Sequence, residues 1–332
     1  MTVENKQTGT PHGYGVAVDM GATHVRFVLT DGNTSILNET QELVNVQTGA
    51  AGVIAQMRDG IGRIVPHIAE LKGISIGVPG GVDPTTGIAF DLTNVPGWRD
   101  VDMGGELEEE FHVPVFLDND ANMAAIGEHM RGIARRVNNF CFVALGTGVG
   151  SGVFMDGRIC RGRSGLAGEI FRMNLDWTRW NEDFSDGGYF ESYVAGIGLA
   201  KEGRKALPGA NGSSGSLVEE RDARFVFAAL REGDPRARTL VENSFTMLGV
   251  GIANLVCLLD PELIVFNGGV VRGAPDLLLE IVGSVVRRIH PRGPRIELST
   301  LGDKAQIWGA IHTLLEPERH CAIRTLQGRR QR

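Results

Sequence analysis

The sequence lacks the marks of several protein classes. No apolar run reaches the roughly 18 residues that span a bilayer, and the first residues, Met1 to His12, are polar rather than signal-like. The four cysteines are scattered and form no CxxC pair, which excludes a zinc knuckle and a disulfide framework. Acidic residues (40) outnumber basic ones (33), and the net charge of −7 argues against a nucleic-acid surface. We therefore expect a cytoplasmic protein that binds neither membrane nor nucleic acid.

Two common phosphate-binding motifs are also missing. The chain has no Gly-Lys pair, and hence no GxxxxGK[ST] loop, and no GxGxxG follows either of its two strongest predicted strands. Glycine itself is abundant, however, with 46 residues in 332, about twice the usual ~7%. Glycine in this quantity indicates tight turns and close backbone approaches to a ligand.

Strands and helices alternate along the chain, which predicts an α/β fold. Two segments, Tyr14–Asp31 and Asn139–Asp156, both consist of an apolar strand, a glycine-containing turn, a second strand and Asp-Gly. A shift of 125 residues without gaps places Gly21 on Gly146 and Asp31 on Asp156. The sequence therefore predicts a duplicated domain. Helices are predicted at 48–66, 106–111, 118–130, 190–206, 222–230, 235–258, 275–289 and 304–315.

The two glycine turns, Asp19–Thr23 and Gly146–Gly148, are candidate phosphate sites. Glycine lets backbone N–H groups point at phosphate oxygens, and Thr23 and Thr147 add hydroxyl donors. Asp19 can hold Mg²⁺ through water, because Mg²⁺ keeps several waters and takes few carboxylates. The alternative is a pair of ordinary hairpins with small turn residues, and the repeat favours phosphate binding over it.

Carboxylates and amides at helix starts and in loops are candidates for the acceptor site. Asp120 opens a predicted helix, where it is either a cap or a base that takes a hydroxyl proton during phosphoryl transfer. Asn119 beside it can bind a sugar hydroxyl. Asn94, Glu169 and Glu191 can also pair with hydroxyls, although a loop glutamate is more often simply solvated.

Seven short motifs, in order, resemble those of the ROK family of bacterial sugar kinases and sugar-responsive repressors, and look most like its glucokinase-type kinases. They are Asp19–Thr23, Val78–Gly80, Asn94–Trp98, Asn119–Asn122, Leu145–Gly150, Ala167–Glu169 and Gly268–Val270. The resemblance covers about Tyr14 to Leu315. It implies an actin-like, hexokinase-type fold, with two duplicated ribonuclease-H-like domains around a central cleft. We expect the small N-terminal domain at 13–118 plus 304–320 and the larger one at 119–303.

The resemblance also implies roles for the candidate residues. ATP with Mg²⁺ would be the cofactor, and the γ-phosphoryl would go to a sugar hydroxyl, usually the one on C6, with Asp120 as the base. The phosphates would lie at Gly21, Ala22, Thr23, Gly146, Thr147 and Gly148, and adenosine at Gly268 and Gly269. The sugar would be bound by Gly80, Asn94, Asn119, Asp120, Glu169 and Glu191. A homodimer is expected, because dimers are common in the family.

The chain departs from the family at its structural zinc site. Members usually carry Glu-x-Gly-His after Ala-Gly and then a CxCGxxGCxE segment. Here the His position is Arg172, and the three Cys positions are Glu182, Phe184 and Tyr189. Arginine stays protonated and is no ligand, so the resemblance implies a zinc-free variant. Because the family His also contacts the sugar, Arg172 is a candidate sugar contact.

Aromatic residues near the missing ligands are expected to replace the metal by apolar packing. The expected residues are Phe184, Tyr189, Phe190, Trp177 and Trp180.

The acceptor and the functional class leave alternatives open. Glucose is the leading acceptor, and N-acetylmannosamine, allose, fructose, a modified hexose or a cyclitol are the others. A DNA-binding repressor is disfavoured, because only 13 residues precede the first predicted strand and no basic recognition helix is present. A non-catalytic sugar-binding or regulatory protein is disfavoured because Asp19, Asp120 and both glycine turns are present.

Overall fold

A computed structural model describes residues 13–83, 85–90, 92, 95–184, 187–207 and 222–320. The chain forms two compact units. The first holds the described residues up to Met123 and those from Gln306 onward, and the second spans Ala124–Ala305. The first division falls inside a helix, Asp120–Met130, which runs from one unit into the other. The expected domain bounds, 13–118 plus 304–320 and 119–303, stay a prediction.

The first unit is built on a five-stranded sheet. Its strands are β1 (Tyr14–Met20), β2 (His24–Thr30), β3 (Ile36–Leu43), β4 (Leu71–Val78) and β7 (Val115–Asn119). Their order across the sheet is β3-β2-β1-β4-β7. The first three strands are antiparallel, whereas β4 and β7 run parallel to β1. A short hairpin, β5 (Val82–Asp83) and β6 (Ile88–Ala89), follows β4.

Apolar spacing and caps form the helices of this unit. Helix α1 (Gly49–Ile64) buries Val53, Ile54, Met57 and Ile61, which recur on one face of a helix. The Asp102 side chain caps α2 (Met103–Phe111) by accepting a bond of 2.9 Å from the Gly105 N–H. Helices α10 (Ala305–Leu315) and α11 (Pro317–His320) end the described chain.

The second unit repeats the sheet with the order β10-β9-β8-β11-β12. Its strands are β8 (Phe140–Leu145), β9 (Val149–Met155), β10 (Arg158–Ile159), β11 (Leu263–Asn267) and β12 (Arg295–Leu298). Its helices are α3 (Asp120–Met130, shared with the first unit), α4 (Glu191–Val194), α5 (Gly196–Ala206), α6 (Arg224–Arg231), α7 (Pro235–Leu259), α8 (Gly269–Gly273) and α9 (Pro275–Ile289). Phe190, Phe245 and Phe266 are fully buried in its core.

The matching sheet orders confirm the predicted duplication, with one difference in register. The 125-residue shift carries β2 onto β9 residue for residue. The closing pair of the first hairpin is Met20 with Val25, whereas that of the second is Leu145 with Val149. The second turn is therefore one residue shorter than the first.

One helix in the described part of the chain, α7, is long and apolar enough to cross a membrane. Burial in the core explains the apolar composition of α7. Of the most apolar 18-residue stretch of the helix, 56% is buried, and α7 supplies core residues such as Phe245 and Leu248. The N-terminus of α7 is set by Pro235 and by Asp234, which accepts a bond from the Arg236 N–H. We interpret α7 as a core helix.

Candidate functional site

The first glycine turn joins β1 to β2 in the first unit. The Gly21 N–H donates to the His24 carbonyl at 2.8 Å, and the Val44 N–H donates to the Thr23 carbonyl at 2.9 Å. Ala22 and Thr23 are exposed at the tip. These bonds hold the turn and leave its apex accessible, and phosphate binding by the apex stays a prediction.

Asp19 lies at the end of β1, half-buried and opposite Arg26 across the hairpin. One carboxylate beside an exposed turn fits Mg²⁺, which binds through few carboxylates and retains water. Within the described ranges, no group of three or more His, Cys, Asp and Glu side chains is arranged to hold a metal. The assignment of Mg²⁺ to Asp19 through water stays a prediction.

The candidate base Asp120 is placed by the start of α3, where Asn119 acts as the cap. The Asn119 Oδ1 accepts bonds from the N–H groups of Ala121 (2.9 Å) and Asn122 (3.2 Å). Its Nδ2 donates to the Gly80 carbonyl at 2.9 Å. Asp120 is half-buried and accepts a bond of 2.8 Å from the Ala121 N–H. The structure thus brings Gly80, Asn119 and Asp120 together.

Asp118 is a supporting residue that the sequence did not single out. It is only 2% exposed, and its Oδ1 accepts bonds from the Asn119 N–H at 2.8 Å and the Asn122 Nδ2 at 2.9 Å. A buried carboxylate with two such bonds fixes the backbone that precedes α3. The signal for it was its place as a polar residue near the end of a buried strand, directly before Asn119.

The second glycine turn, Gly146–Gly148, is held from the opposite side by α4 and α5. The Val149 N–H donates to the Glu191 Oε2 at 2.9 Å. The Gly196 N–H donates to the Gly146 carbonyl at 2.8 Å, and the Ile197 N–H to the Thr147 carbonyl at 3.0 Å. Glu191, predicted as a sugar residue, is therefore also a brace for the turn.

Glu169 lies in the same unit, just before a single helical turn at Ile170–Arg172. Burial raises the pKa of its carboxyl, the charge of Arg172 acts to lower it, and the charge of Glu191 raises it further. Arg172 is exposed, and its guanidinium lies over the Phe171 ring at 4.8 Å. Glu169, Arg172 and Glu191 thus form one charged group beside the second turn.

The predicted adenosine turn follows β11. The Asn267 Oδ1 accepts a bond from the Gly268 N–H at 2.8 Å, and its Nδ2 donates to the Gly302 carbonyl at 2.9 Å. Gly268 has a φ of 121°, and a Cβ there would lie 2.3 Å from the Leu145 carbonyl oxygen. Gly269 begins α8, and a Cβ added there would have nothing within 4 Å.

The remaining predicted site residue, Asn94, lies outside the described residues.

The segment in which the resemblance implies zinc ligands is organised here around Arg179. Its guanidinium lies over the rings of Phe184, Tyr189 and Tyr193 at 5.2, 5.3 and 5.9 Å. It also pairs with Glu182, with Nε to Oε1 at 2.6 Å. Arg179 was missed in the sequence, where its only signal was the Glu and aromatic residues that follow it.

The expectation that aromatic residues pack in place of the metal is correct only in part. Phe184 and Tyr189 stack edge to face at 5.3 Å, and Phe190 is fully buried in the core. The expectation for Trp177 and Trp180 was wrong, because these rings are 83% and 79% exposed. They lie in a turn whose Asp176 side chain bonds Thr178, which leaves both indoles outside the packing.

Comparison with known proteins establishes the family. The ROK family model matches residues 15–316, so the chain belongs to the ROK family. It is 32% identical over 307 residues to a glucokinase of Halalkalibacterium halodurans, covering 89% of this chain and 92% of that protein. It is also 29% identical to a xylose repressor of Bacillus spizizenii, covering 95% of this chain and 79% of the repressor.

Solved structures agree with this assignment. A ROK hexokinase from Thermus thermophilus superposes with a TM-score of 0.75 at 28% identity, covering 92% of this chain and 99% of that one. A ROK glucokinase from Streptomyces griseus, in complex with glucose and AMPPNP, has a TM-score of 0.71 at 25% identity, covering 90% and 98%. The predicted fold class, the actin-like fold of ROK sugar kinases, is confirmed.

The brace between Glu191 and the second turn leads to a prediction about Gly148. A Cβ at this position would lie 2.4 Å from the Glu191 Oε2, whereas one at Gly146 would have nothing within 4 Å. Gly148→Ala should therefore displace the carboxylate and lower the free energy of unfolding by about 1.5–3 kcal/mol, the usual value of a hydrogen bond to a charged group. Gly146→Ala is the matched control in urea unfolding, and equal losses in both variants would contradict the brace.

Proposed function

We propose that this protein is an ATP-dependent sugar kinase, which transfers the γ-phosphoryl group of Mg·ATP to a sugar hydroxyl, the one on C6. The observation that carries the proposal is the placement of Asp120. Its half-buried carboxylate opens α3, with its backbone fixed by the Asn119 cap and its neighbour tied to the Gly80 carbonyl. A carboxylate held in this way can accept a proton from a bound hydroxyl.

In the proposed reaction the sugar hydroxyl oxygen attacks the γ-phosphorus and gives its proton to the Asp120 carboxylate. The new O–P bond forms as the bond from the γ-phosphorus to the bridging oxygen of ADP breaks, and ADP leaves with that electron pair. Phosphoryl transfer depends mainly on positioning and charge neutralisation. Mg²⁺ held through water by Asp19 would supply part of that neutralisation.

The nucleotide is assigned to the glycine turns. Gly21–Thr23 and Gly146–Gly148 each present a turn held by hydrogen bonds from a neighbouring element. Adenosine is assigned to the turn of Gly268 and Gly269, where the space at the Cβ position of Gly269 is open. The Streptomyces griseus glucokinase, solved with AMPPNP, supports ATP as the phosphoryl donor.

The sugar is assigned to Gly80, Asn94 and Asn119, together with the charged group of Glu169, Arg172 and Glu191. Glucose is our leading acceptor, supported by the glucokinase relative and by the ROK glucokinase complex with glucose. Arg172 in place of the family His is the reason to test N-acetylmannosamine, allose, fructose, and modified hexoses or cyclitols as well. No zinc is assigned, because the four ligand positions hold Arg172, Glu182, Phe184 and Tyr189.

The second candidate is a non-catalytic, sugar-responsive regulator, favoured by the similarity to a xylose repressor. ATP consumption measured against a panel of sugars separates the two, since a regulator binds sugar without turning over ATP. We further propose a cytoplasmic homodimer that binds neither nucleic acid nor membrane. Analytical ultracentrifugation tests its oligomeric state.

Asp120→Asn is the first test of the kinase. The amide can still accept the Ala121 N–H bond but cannot take the hydroxyl proton, so kcat should fall by about 10²–10⁴-fold with a nearly unchanged sugar KM. Asp102→Asn is the control, because it too changes a carboxylate at a helix start to a competent cap and should leave kcat unchanged. A coupled ADP assay measures both, and near-normal turnover of Asp120→Asn would exclude Asp120 as the base.

The pKa of Glu169 predicts a pH dependence. Because burial raises this pKa, the carboxyl group gains its proton at a pH above the ordinary value of 4.5 as the solution is acidified. If the carboxylate binds sugar hydroxyls, the sugar KM should rise as the pH falls through the raised pKa. In Glu169→Gln the sugar KM should be higher than in the native protein and should not rise further at acid pH. Glu280→Gln, at an exposed position, should keep the native rise of KM at acid pH. If the sugar KM of Glu169→Gln still rises at acid pH as in the native protein, a group other than Glu169 causes the pH dependence.

The raised pKa of Glu169 also determines the direction in which its contribution to the free energy of unfolding changes with pH. A raised folded-state pKa means that the fold favours the protonated acid, so this contribution is present below the unfolded pKa and is lost as the pH rises through the folded one. Glu169→Gln is therefore expected to unfold at neutral pH no more easily than the native protein, and this separates a binding defect from a folding defect.

A further inference from the structure

A charged and aromatic cluster lies on the second unit, outside the residues assigned to substrate. We define the Arg179 cluster as Arg179, Glu182, Phe184, Tyr189 and Tyr193. Two guanidinium nitrogens of Arg179 bond the Glu182 carboxylate, and a third donates to the Tyr193 hydroxyl. The guanidinium also lies over three rings. A planar fork that both bonds and stacks is specific to arginine, since lysine offers only a point charge.

The cluster is joined to Glu191 through the chain. Tyr189 precedes Glu191 by two residues and Tyr193 follows it by two, so two rings in contact, with centroids 4.8 Å apart and planes tilted by 38°, flank the glutamate. The Ser192 Oγ donates to the Tyr189 carbonyl at 2.7 Å, and the Ala195 N–H donates to the Glu191 carbonyl at 3.1 Å. Fixing both tyrosines therefore fixes the short helix α4 that carries Glu191.

From α4 the contact continues to the second glycine turn. The Glu191 Oε2 accepts the Val149 N–H at 2.9 Å, and its oxygen fills the space where a Cβ on Gly148 would lie. An exposed ion pair such as Arg179 with Glu182 contributes little by itself. A guanidinium that lies over three rings and uses all three of its nitrogens in hydrogen bonds to two acceptors is held in one orientation and can act as a support.

We propose that Arg179 is a positioning residue that holds α4 so that the Glu191 carboxylate stays bonded to the second glycine turn. It acts through Tyr189 and Tyr193 and does not contact substrate. The consequence for turnover rests on the proposed function, in which Glu191 binds sugar and the turn binds phosphate. The positioning itself does not depend on that function.

Amide hydrogen exchange at Val149 tests the positioning directly. In Arg179→Met, which removes the charge but keeps an unbranched side chain, the Val149 N–H should exchange roughly tenfold faster than in the native chain. The Gly21 N–H, in the equivalent turn of the first unit, should keep its rate. Arg238→Met is the matched control, because it breaks an exposed Arg–Glu pair of 2.8 Å on α7 in the same unit. Unchanged exchange at Val149 in Arg179→Met would overturn the proposal.

Steady-state kinetics provide the second readout. Loss of folded protein lowers kcat and leaves KM unchanged, whereas a displaced Glu191 raises the sugar KM, by about three- to tenfold in Arg179→Met. Arg179→Lys should recover only part of both effects, because it restores charge without the planar fork. Full rescue by lysine, or a kcat loss with native KM, would contradict positioning by Arg179.

The experiments distinguish failure of the kinase proposal from failure of the positioning role of Arg179. If the native chain phosphorylates no sugar but Val149 exchange still responds to Arg179→Met, the positioning stands and the kinase assignment is wrong. Should Arg179→Met not fold, Tyr193→Phe removes only the hydroxyl that accepts the Arg179 bond. It should speed exchange at Val149 by about two- to threefold, and no change there would overturn the proposal as well.

Discussion

The bond from the Val149 N–H to the Glu191 carboxylate ties the second glycine turn to α4. Gly148 is needed there because any side chain would occupy the position of the Glu191 oxygen. Two further bonds, from the N–H groups of Gly196 and Ile197, orient the carbonyls of the turn toward α5. The Gly146 N–H donates within the turn to the Gly148 carbonyl at 2.9 Å, so the N–H groups of Thr147 and Gly148 are the candidates for anion binding. The aromatic and ionic contacts of Arg179 support this arrangement from the far side of α4.

Most of the fold follows from signals that act over short stretches of chain. Buried strands such as β4 and β11, and amphipathic helices such as α1, show their burial directly in their apolar spacing. Strand β3 was not predicted, because seven of its eight residues are exposed and it forms by pairing with β2 at a sheet edge. The repeat was visible as a shift of 125 residues, but the shorter second turn was not, since strand register is set by pairing rather than by sequence spacing.

The candidate site was predictable where a motif carries its own chemistry. Asp120, Asn119 and the two glycine turns were found from residue type and position, and the structure gives them defined hydrogen bonds. The second role of Glu191 was not predictable, because its bond to Val149 joins residues 42 positions apart. Arg179 was missed for a different reason, since its partners lie only 3 to 14 residues further along the chain. Its partners are aromatic rings brought together by tertiary packing, and the two neighbouring tryptophans were the more conspicuous residues in the sequence.

A crystal structure with ADP and glucose bound tests the central claim most directly. The account predicts the diphosphate against both glycine turns, Gly21–Thr23 and Gly146–Gly148, with a sugar hydroxyl about 3 Å from the Asp120 carboxylate. A diphosphate bound away from both turns, or an Asp120 side chain facing bulk solvent with the sugar elsewhere, would contradict it.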